Sequence, residues 1–323
     1  MRSPPLIEAQ VERILYEQYG LQAPKLTPMT TGVGGTTYRV DTDDKRFVFK
    51  IADANHMNHP EVEPEICAYL ASKQIPVSEF VRRHDGTLLV ECGEGRIGHL
   101  QTFVDGVMCK QNQAPQWLMR EMPQLLGDLH RALLDFRPLP DGIGKDFLAN
   151  MTPERAVVSY RTSMDLAQAA GDEQILDELA SRIRIAGKMR DWRFDLSKLT
   201  CRNSHGDFTV HQMICGDDKI NAVIDWTSAC THPVIWEITR SYFYGAPCQK
   251  DGVPDITGLA EYAMAYESRM PLSPYDRDHL LQFYLFQLAV CDYYSQYFHA
   301  EEKRKQEFLT QARFATKVLM KYV

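Results

Sequence analysis

The 323-residue chain is 44% hydrophobic and 24% charged, an ordinary globular composition that excludes a disordered polymer. Its 36 Lys and Arg against 43 Asp and Glu leave a net charge of −7, spread evenly, which argues against a nucleic-acid-coating surface. No signal-peptide core opens the chain, no apolar run approaches the roughly 18 residues of a membrane span, and the eight scattered cysteines form no Cys-x-x-Cys pair, so a cytoplasmic protein with free thiols and no membrane partner is expected.

Apolar residues at helical spacing over 6–20 end at Gly20 and predict a first helix. A glycine-rich turn follows, with Gly32, Gly34 and Gly35 ahead of two short β-rich runs, 37–41 and 46–51, joined by Asp43-Asp44-Lys45. Residues 64–74 read as a helix that Pro76 ends, and 88–91 and 96–103 as two further strands. Beyond about residue 113 the pattern turns helical, over 116–134, 153–169, 172–190, 256–268, 274–298 and 302–322, interrupted by a small hairpin around Asp217-Asp218-Lys219. Strands first and helices afterwards predict an α+β fold of two lobes rather than an alternating parallel sheet, with Val104-Asp105-Gly106 as the joint.

The chemistry concentrates in SHGDFTVHQMIC, 204–215, and NAVIDWTSA, 221–229. Asp207 lies on a loop, and Asp225 stands eighteen residues later at the end of an apolar strand. A hairpin between them would bring both carboxylates to one end of a small sheet. Phosphoryl transfer uses such a pair, one carboxylate to orient and deprotonate the acceptor and one to hold Mg²⁺ against the phosphates. In the glycine-rich turn, backbone N–H groups at Gly34 and Gly35 and the Thr36 hydroxyl could approach phosphate oxygens, although a plain hairpin turn explains the same residues.

These strings resemble the aminoglycoside phosphotransferase and homoserine kinase-like group, a branch of the protein-kinase-like fold. The resemblance rests on His205-Gly206-Asp207, on Asp225 before Trp226, and on Ala229, Pro233 and Glu237-Ile238 downstream. It implies an N-lobe of 1–103, with an antiparallel sheet and one key helix, and a mostly helical C-lobe of 104–323. It also implies ATP and Mg²⁺ as cofactors and a small-molecule hydroxyl acceptor as partner. Asp207 then takes the role of catalytic base and Asp225 that of metal ligand. Gln212 stands where the group has Asn, offering the same amide oxygen from one methylene further out, with His211 beside it as a second candidate ligand. Lys50 closes the strand Phe47-Val48-Phe49 as the phosphate-binding lysine does. Its carboxylate partner matches best at Glu65, with Glu63 and Glu61 as rivals, and the backbone from Gln101 to Phe103 corresponds to the segment on which adenine sits. The aromatic run Phe283, Phe286, Val290, Tyr294 and Tyr297 reads either as core packing or as an acceptor wall, as do Trp236, Tyr242 and Tyr244. The alternative function is a catalytically silent, nucleotide-binding scaffold.

Overall fold

The structure, a computed structural model, describes residues 8–29, 35–53, 60–142 and 150–323. Among these the chain divides into two compact units, one from the described part of Met1–Cys109 with His211–Ala229, the other from Lys110–Val210 with Cys230–Val323. Chain order alone placed a single boundary at 103/104. The segment 211–229 instead packs with the N-terminal part. The reason is backbone pairing: Val107 and Cys215 exchange N–H···O bonds, and the Val223 N–H donates to the Pro76 carbonyl at 2.8 Å. At the joint, Gly106 has φ +147, and a Cβ there would fall 2.5 Å from the Cys215 carbonyl oxygen, so only glycine fits.

The first unit holds α1 (Glu8–Tyr19) and the strands β1 (Lys25–Met29), β2 (Gly35–Asp41), β3 (Arg46–Asp53), β4 (Leu89–Glu91) and β5 (Arg96–Thr102). They form an antiparallel sheet in the order β1-β2-β3-β5-β4. Pro28 puts β1 outside the sequence expectation, and β1 is an edge strand, where proline's missing donor costs nothing. Alternation along the strands decides the rest. Tyr38, Val40, Phe47, Phe49, Ile51 and Leu100 pack with Val11 and Leu15 of α1 into one core, each such buried side chain contributing about 1.5–3 kcal/mol. Residues one step out of phase go to the opposite face, and the register pairs two of them, Lys50 with His99. Helix α2 (Val62–Ser72) and a hairpin of Met213–Cys215 with Ile220–Val223 complete the unit.

The second unit is built on helices α3 (Gln116–Ala132), α4 (Pro153–Ala170), α5 (Glu173–Lys188), α6 (Val234–Gly245), α7 (Leu259–Glu267), α8 (Pro274–Val290), α9 (Tyr293–His299) and α10 (Glu302–Tyr322). Their ends carry the expected chemistry. Thr152 caps α4 ahead of Pro153, Gly171 closes it at φ 70, and Ser273 with Asp276 forms a capping box on α8. The helix expected over 274–298 breaks at Cys291, because Asp292 caps a new helix by accepting from the Ser295 N–H. Tyr294 and Tyr297 therefore do not continue the face of Phe283 and Phe286. A two-stranded antiparallel ribbon, Cys201–Ser204 with Cys230–Pro233, stands between α5 and α6 in this unit. Among the described residues no helix is long and apolar enough to cross a membrane.

Candidate active site

In the first unit, the back face of the sheet and α2 assemble a charged cluster. The Lys50 ammonium lies 3.6 Å from Glu63 Oε1 and 3.7 Å from Asp225 Oδ1. Glu63 is 2% exposed, and its Oε1 also accepts the Trp226 N–H at 3.3 Å. Burial alone would push the Lys50 pKa down, but Glu63 and then Asp225 outweigh it and hold the ammonium above its ordinary value. His99 stands 3.9 Å from Glu63 Oε2, tilted against the Phe80 ring. Burial drives its pKa down to about 4 despite that carboxylate, so the imidazole is neutral and, among the described residues, Lys50 is the cation of the cluster.

The carboxylate beside Lys50 is thus Glu63, not Glu65. The helix starts at Val62 rather than at Pro64, since proline is tolerated in a first turn. Two residues along a helix turn a side chain through about 200°, so with Glu63 inward Glu65 points out, and it is exposed.

Asp225 sits at φ 62, in the left-handed region where aspartate is one of the few tolerated side chains. The Thr227 hydroxyl donates to its Oδ1 at 2.9 Å. The hairpin brings Gln212 to the same end, its carbonyl accepting the N–H of Ile224, the neighbour of Asp225, at 2.9 Å. Hard oxygen donors of this kind suit Mg²⁺, which takes one or two protein ligands and fills the rest with water and phosphate. Among the described residues no group of three or more His, Cys, Asp or Glu side chains is placed to hold a metal. His211, the other candidate, is exposed.

Gly34 lies outside the described residues. Gly35 is on β2, where a Cβ would fall 2.5 Å from the Ile51 carbonyl oxygen, so strand packing by itself requires glycine there. Thr36 pairs with Ile51 on the same ladder. The Gln101 side chain is buried, 3.3 Å from His99 Nε2. The Phe103 N–H already donates to the Arg46 carbonyl at 3.1 Å, and its ring lies under the Arg46 guanidinium.

In the second unit, Asp207 projects from the loop that leaves the ribbon. Gly206 adopts φ +80, and the Asp207 N–H donates to Nδ1 of the fully buried His205 at 3.2 Å. Glu237 on α6 anchors this loop, its Oε1 accepting the Phe208 N–H at 3.0 Å and its Oε2 the Ser204 hydroxyl. His130 joins Ser204 at 2.5 Å and Tyr266 at 2.8 Å, and His232 meets Glu237 Oε2 at 3.2 Å. Burial would lower the His232 pKa, but the Glu237 carboxylate reverses this and raises it to about 9. Burial would raise Glu237, but His232 and His130 hold it well below the carboxylate range. The anchor is therefore an imidazolium–carboxylate pair with a neutral His130 beside it, whose pKa burial lowers.

That pair makes stability depend on pH. The folded-state value for His232, about 9, lies above the ordinary 6.5. Its contribution is complete below pH 6.5 and is lost as pH rises through 9, a change of about 3 kcal/mol. Denaturant unfolding at pH 6.5 and pH 9.5 should show the drop in the wild type and a much smaller one in His232→Gln. Equal drops in both would place the titrating group elsewhere.

Arg240, one turn beyond Glu237, donates from Nη1 to Asp207 Oδ1 and lies against the Tyr244 ring at 4.8 Å and the Trp236 ring at 5.9 Å. Sequence reasoning singled out neither Arg240 nor His99, His130, Ser204 or His232. One signal was legible: Trp236, Arg240 and Tyr244 recur at i, i+4 and i+8 and so share a helix face.

A profile of the "Phosphotransferase enzyme family" matches residues 25–272. The chain is similar to the homoserine kinase of Methylobacillus flagellatus, 24% identical over 251 residues, which cover 77% of this chain and 72% of that protein. Among solved structures it resembles the amicoumacin kinase hAmiN in complex with AMP-PNP, Ca²⁺ and Ami (TM-score 0.68, 14% identity, 98% of this chain and 94% of that one). It also resembles the microcompartment-associated aminopropanol kinase (TM-score 0.64, 13% identity, 97% of each chain). These likenesses show a kinase-like fold, and with a profile match that spans most of its length, the chain belongs to the phosphotransferase enzyme family.

Proposed function

We propose that the protein moves the γ-phosphoryl group of ATP, with Mg²⁺, to a hydroxyl group of a small molecule. The observation that carries this reading is Lys50 held between the buried Glu63 and the more accessible Asp225. A buried ion pair is a poor way to stabilise a fold, because hydrocarbon of the same volume usually does as well. A lysine fixed in place by a carboxylate is instead a preorganised receptor for phosphate oxygens.

In this reading Lys50 binds the phosphates and Glu63 orients it. The Asp225 carboxylate and the Gln212 amide oxygen would hold Mg²⁺, which when bound neutralises charge on the phosphates. Asp207 orients the acceptor hydroxyl and takes its proton, and the Glu237 network fixes the loop that carries it. Because the Phe103 N–H is engaged by Arg46, the adenine contact expected between Gln101 and Phe103 falls to carbonyls of that stretch. The relatives are named for homoserine, amicoumacin and aminopropanol, which supports a small hydroxyl compound as acceptor.

The test is Mg²⁺-dependent ADP release measured over a panel of hydroxyl compounds. Acceptor-dependent release is expected, above a slow background hydrolysis of ATP. MgATP binding with neither turnover nor background hydrolysis would favour the silent scaffold instead.

A further inference from the structure

We propose that Arg240 is a receptor for an anionic group of the acceptor, so that the compound phosphorylated is a hydroxy acid with its carboxylate close to the reacting hydroxyl. The inference rests on the phosphotransferase reading above, in particular on Asp207 as the residue that meets the hydroxyl.

Arginine carries five N–H donors in a planar fork with two usable edges and cannot shed its charge. Arg240 is held on α6 with only 17% of its side chain exposed, yet among the described residues it makes a single hydrogen bond, from Nη1 to Asp207 Oδ1. None of its nitrogens belongs to the buried polar atoms that lack a partner, so the unused donors remain reachable. One edge of the fork is thus taken by Asp207 and the other is open.

The surroundings decide what that open edge will accept. The Trp236 and Tyr244 rings lie against the guanidinium and cover part of it. A charge-assisted hydrogen bond formed there is stronger than one in bulk solvent. In the phosphotransferase reading the acceptor hydroxyl meets the Asp207 carboxylate, which is 29% exposed. A ligand that gives a hydroxyl to Asp207 and a carboxylate to Arg240 satisfies both partners. An ammonium in the second position would face the guanidinium, and an uncharged group would leave its donors poorly paired. Because Asp207 and Arg240 touch, the two groups of the ligand must be near each other, separated by about two to four carbons at ordinary bond lengths.

The experiment compares acceptors in pairs: short hydroxy acids such as L-homoserine and 4-hydroxybutyrate, each against its own amide, with amino alcohols and sugars alongside. ADP release is measured for the wild type, Arg240→Gln and Arg240→Lys. The wild type should prefer a carboxylate over its amide by roughly 10- to 100-fold in kcat/KM, the worth of one charge-assisted contact. Arg240→Gln should erase that preference, mainly through KM on the acid, and Arg240→Lys should keep part of it. Calorimetric titration of the same acids and amides gives the preference independently of turnover and, in the wild type, independently of any variant's folding. Equal handling of acid and amide by the wild type would overturn the inference, as would an unchanged ratio in Arg240→Gln. Turnover of amino alcohols or sugars with none of the hydroxy acids would overturn it while leaving the phosphotransferase reading intact. Acceptor-dependent ADP release from no compound at all would sink both.

Discussion

Asp207→Asn is expected to keep MgATP binding and to lose about 10²- to 10⁴-fold in kcat, the range of a lost general base. The substitution preserves shape, and the backbone N–H bond to His205 and the anchoring of the loop by Glu237 do not involve the carboxylate. The proton acceptor and the charge facing Arg240 disappear. The lost ion pair should cost about 1 kcal/mol of stability, because both side chains keep some contact with solvent. Calorimetry for nucleotide binding, steady-state kinetics and a thermal melt separate the three effects. A kcat near that of the wild type would remove Asp207 from the reaction.

The second large effect concerns the charged cluster on the sheet. Asp225→Ala should abolish the Mg²⁺-dependent part of nucleotide affinity, and Lys50→Ala should weaken phosphate binding and rate together. Glu63 and Glu65 provide the sharper contrast. Glu63→Gln leaves Lys50 without its buried partner and should cost roughly 100-fold in kcat/KM, since removing one member of such a pair is worth several kcal/mol. Glu65→Gln changes an exposed position and should stay within about twofold, as surface substitutions do. Equal losses in the two variants would mean that the orientation of α2 is not what positions Lys50. Unchanged MgATP binding in both Asp225→Ala and Lys50→Ala would put the nucleotide elsewhere on the chain.

Much of this was legible in the sequence where period and punctuation were clean. The alternation of Tyr38, Val40, Phe47, Phe49 and Ile51 announced two strands with one face in a core, and Lys50 fell out of phase with that face. The helices expected over 153–169 and 172–190 were equally readable, and the structure adds their caps at Thr152 and Asp172 and the stop at Gly171. Helix α6 escaped for a physical reason. Eleven of its twelve residues are buried, so no polar face exists to reveal a 3.6-residue period. With α6 unseen, Arg240 and the anchoring role of Glu237 were unseen too. The pairing of Lys50 turned on whether a helix begins at a proline or two residues before it, which composition does not decide. The partners of His130, Ser204 and Tyr266, lie 74 and 136 residues away, and no local pattern encodes them.

The return of His211–Ala229 to the first unit has a consequence for biosynthesis. The chain leaves that unit after Cys109 and supplies its last piece only at Ala229, 120 residues later. At roughly 5–20 residues per second the nascent N-terminal part must wait about 6–24 s for completion. Until then the Pro76 carbonyl, both backbone groups of Val107 and the buried Glu63 lack the partners that Val223, Cys215 and Trp226 will bring. A truncated product ending near residue 109 would carry those unmet groups permanently. A ribosome-stalled chain of that length should accordingly be cut by protease and held by chaperones, and one extended past residue 229 should become resistant in a single step.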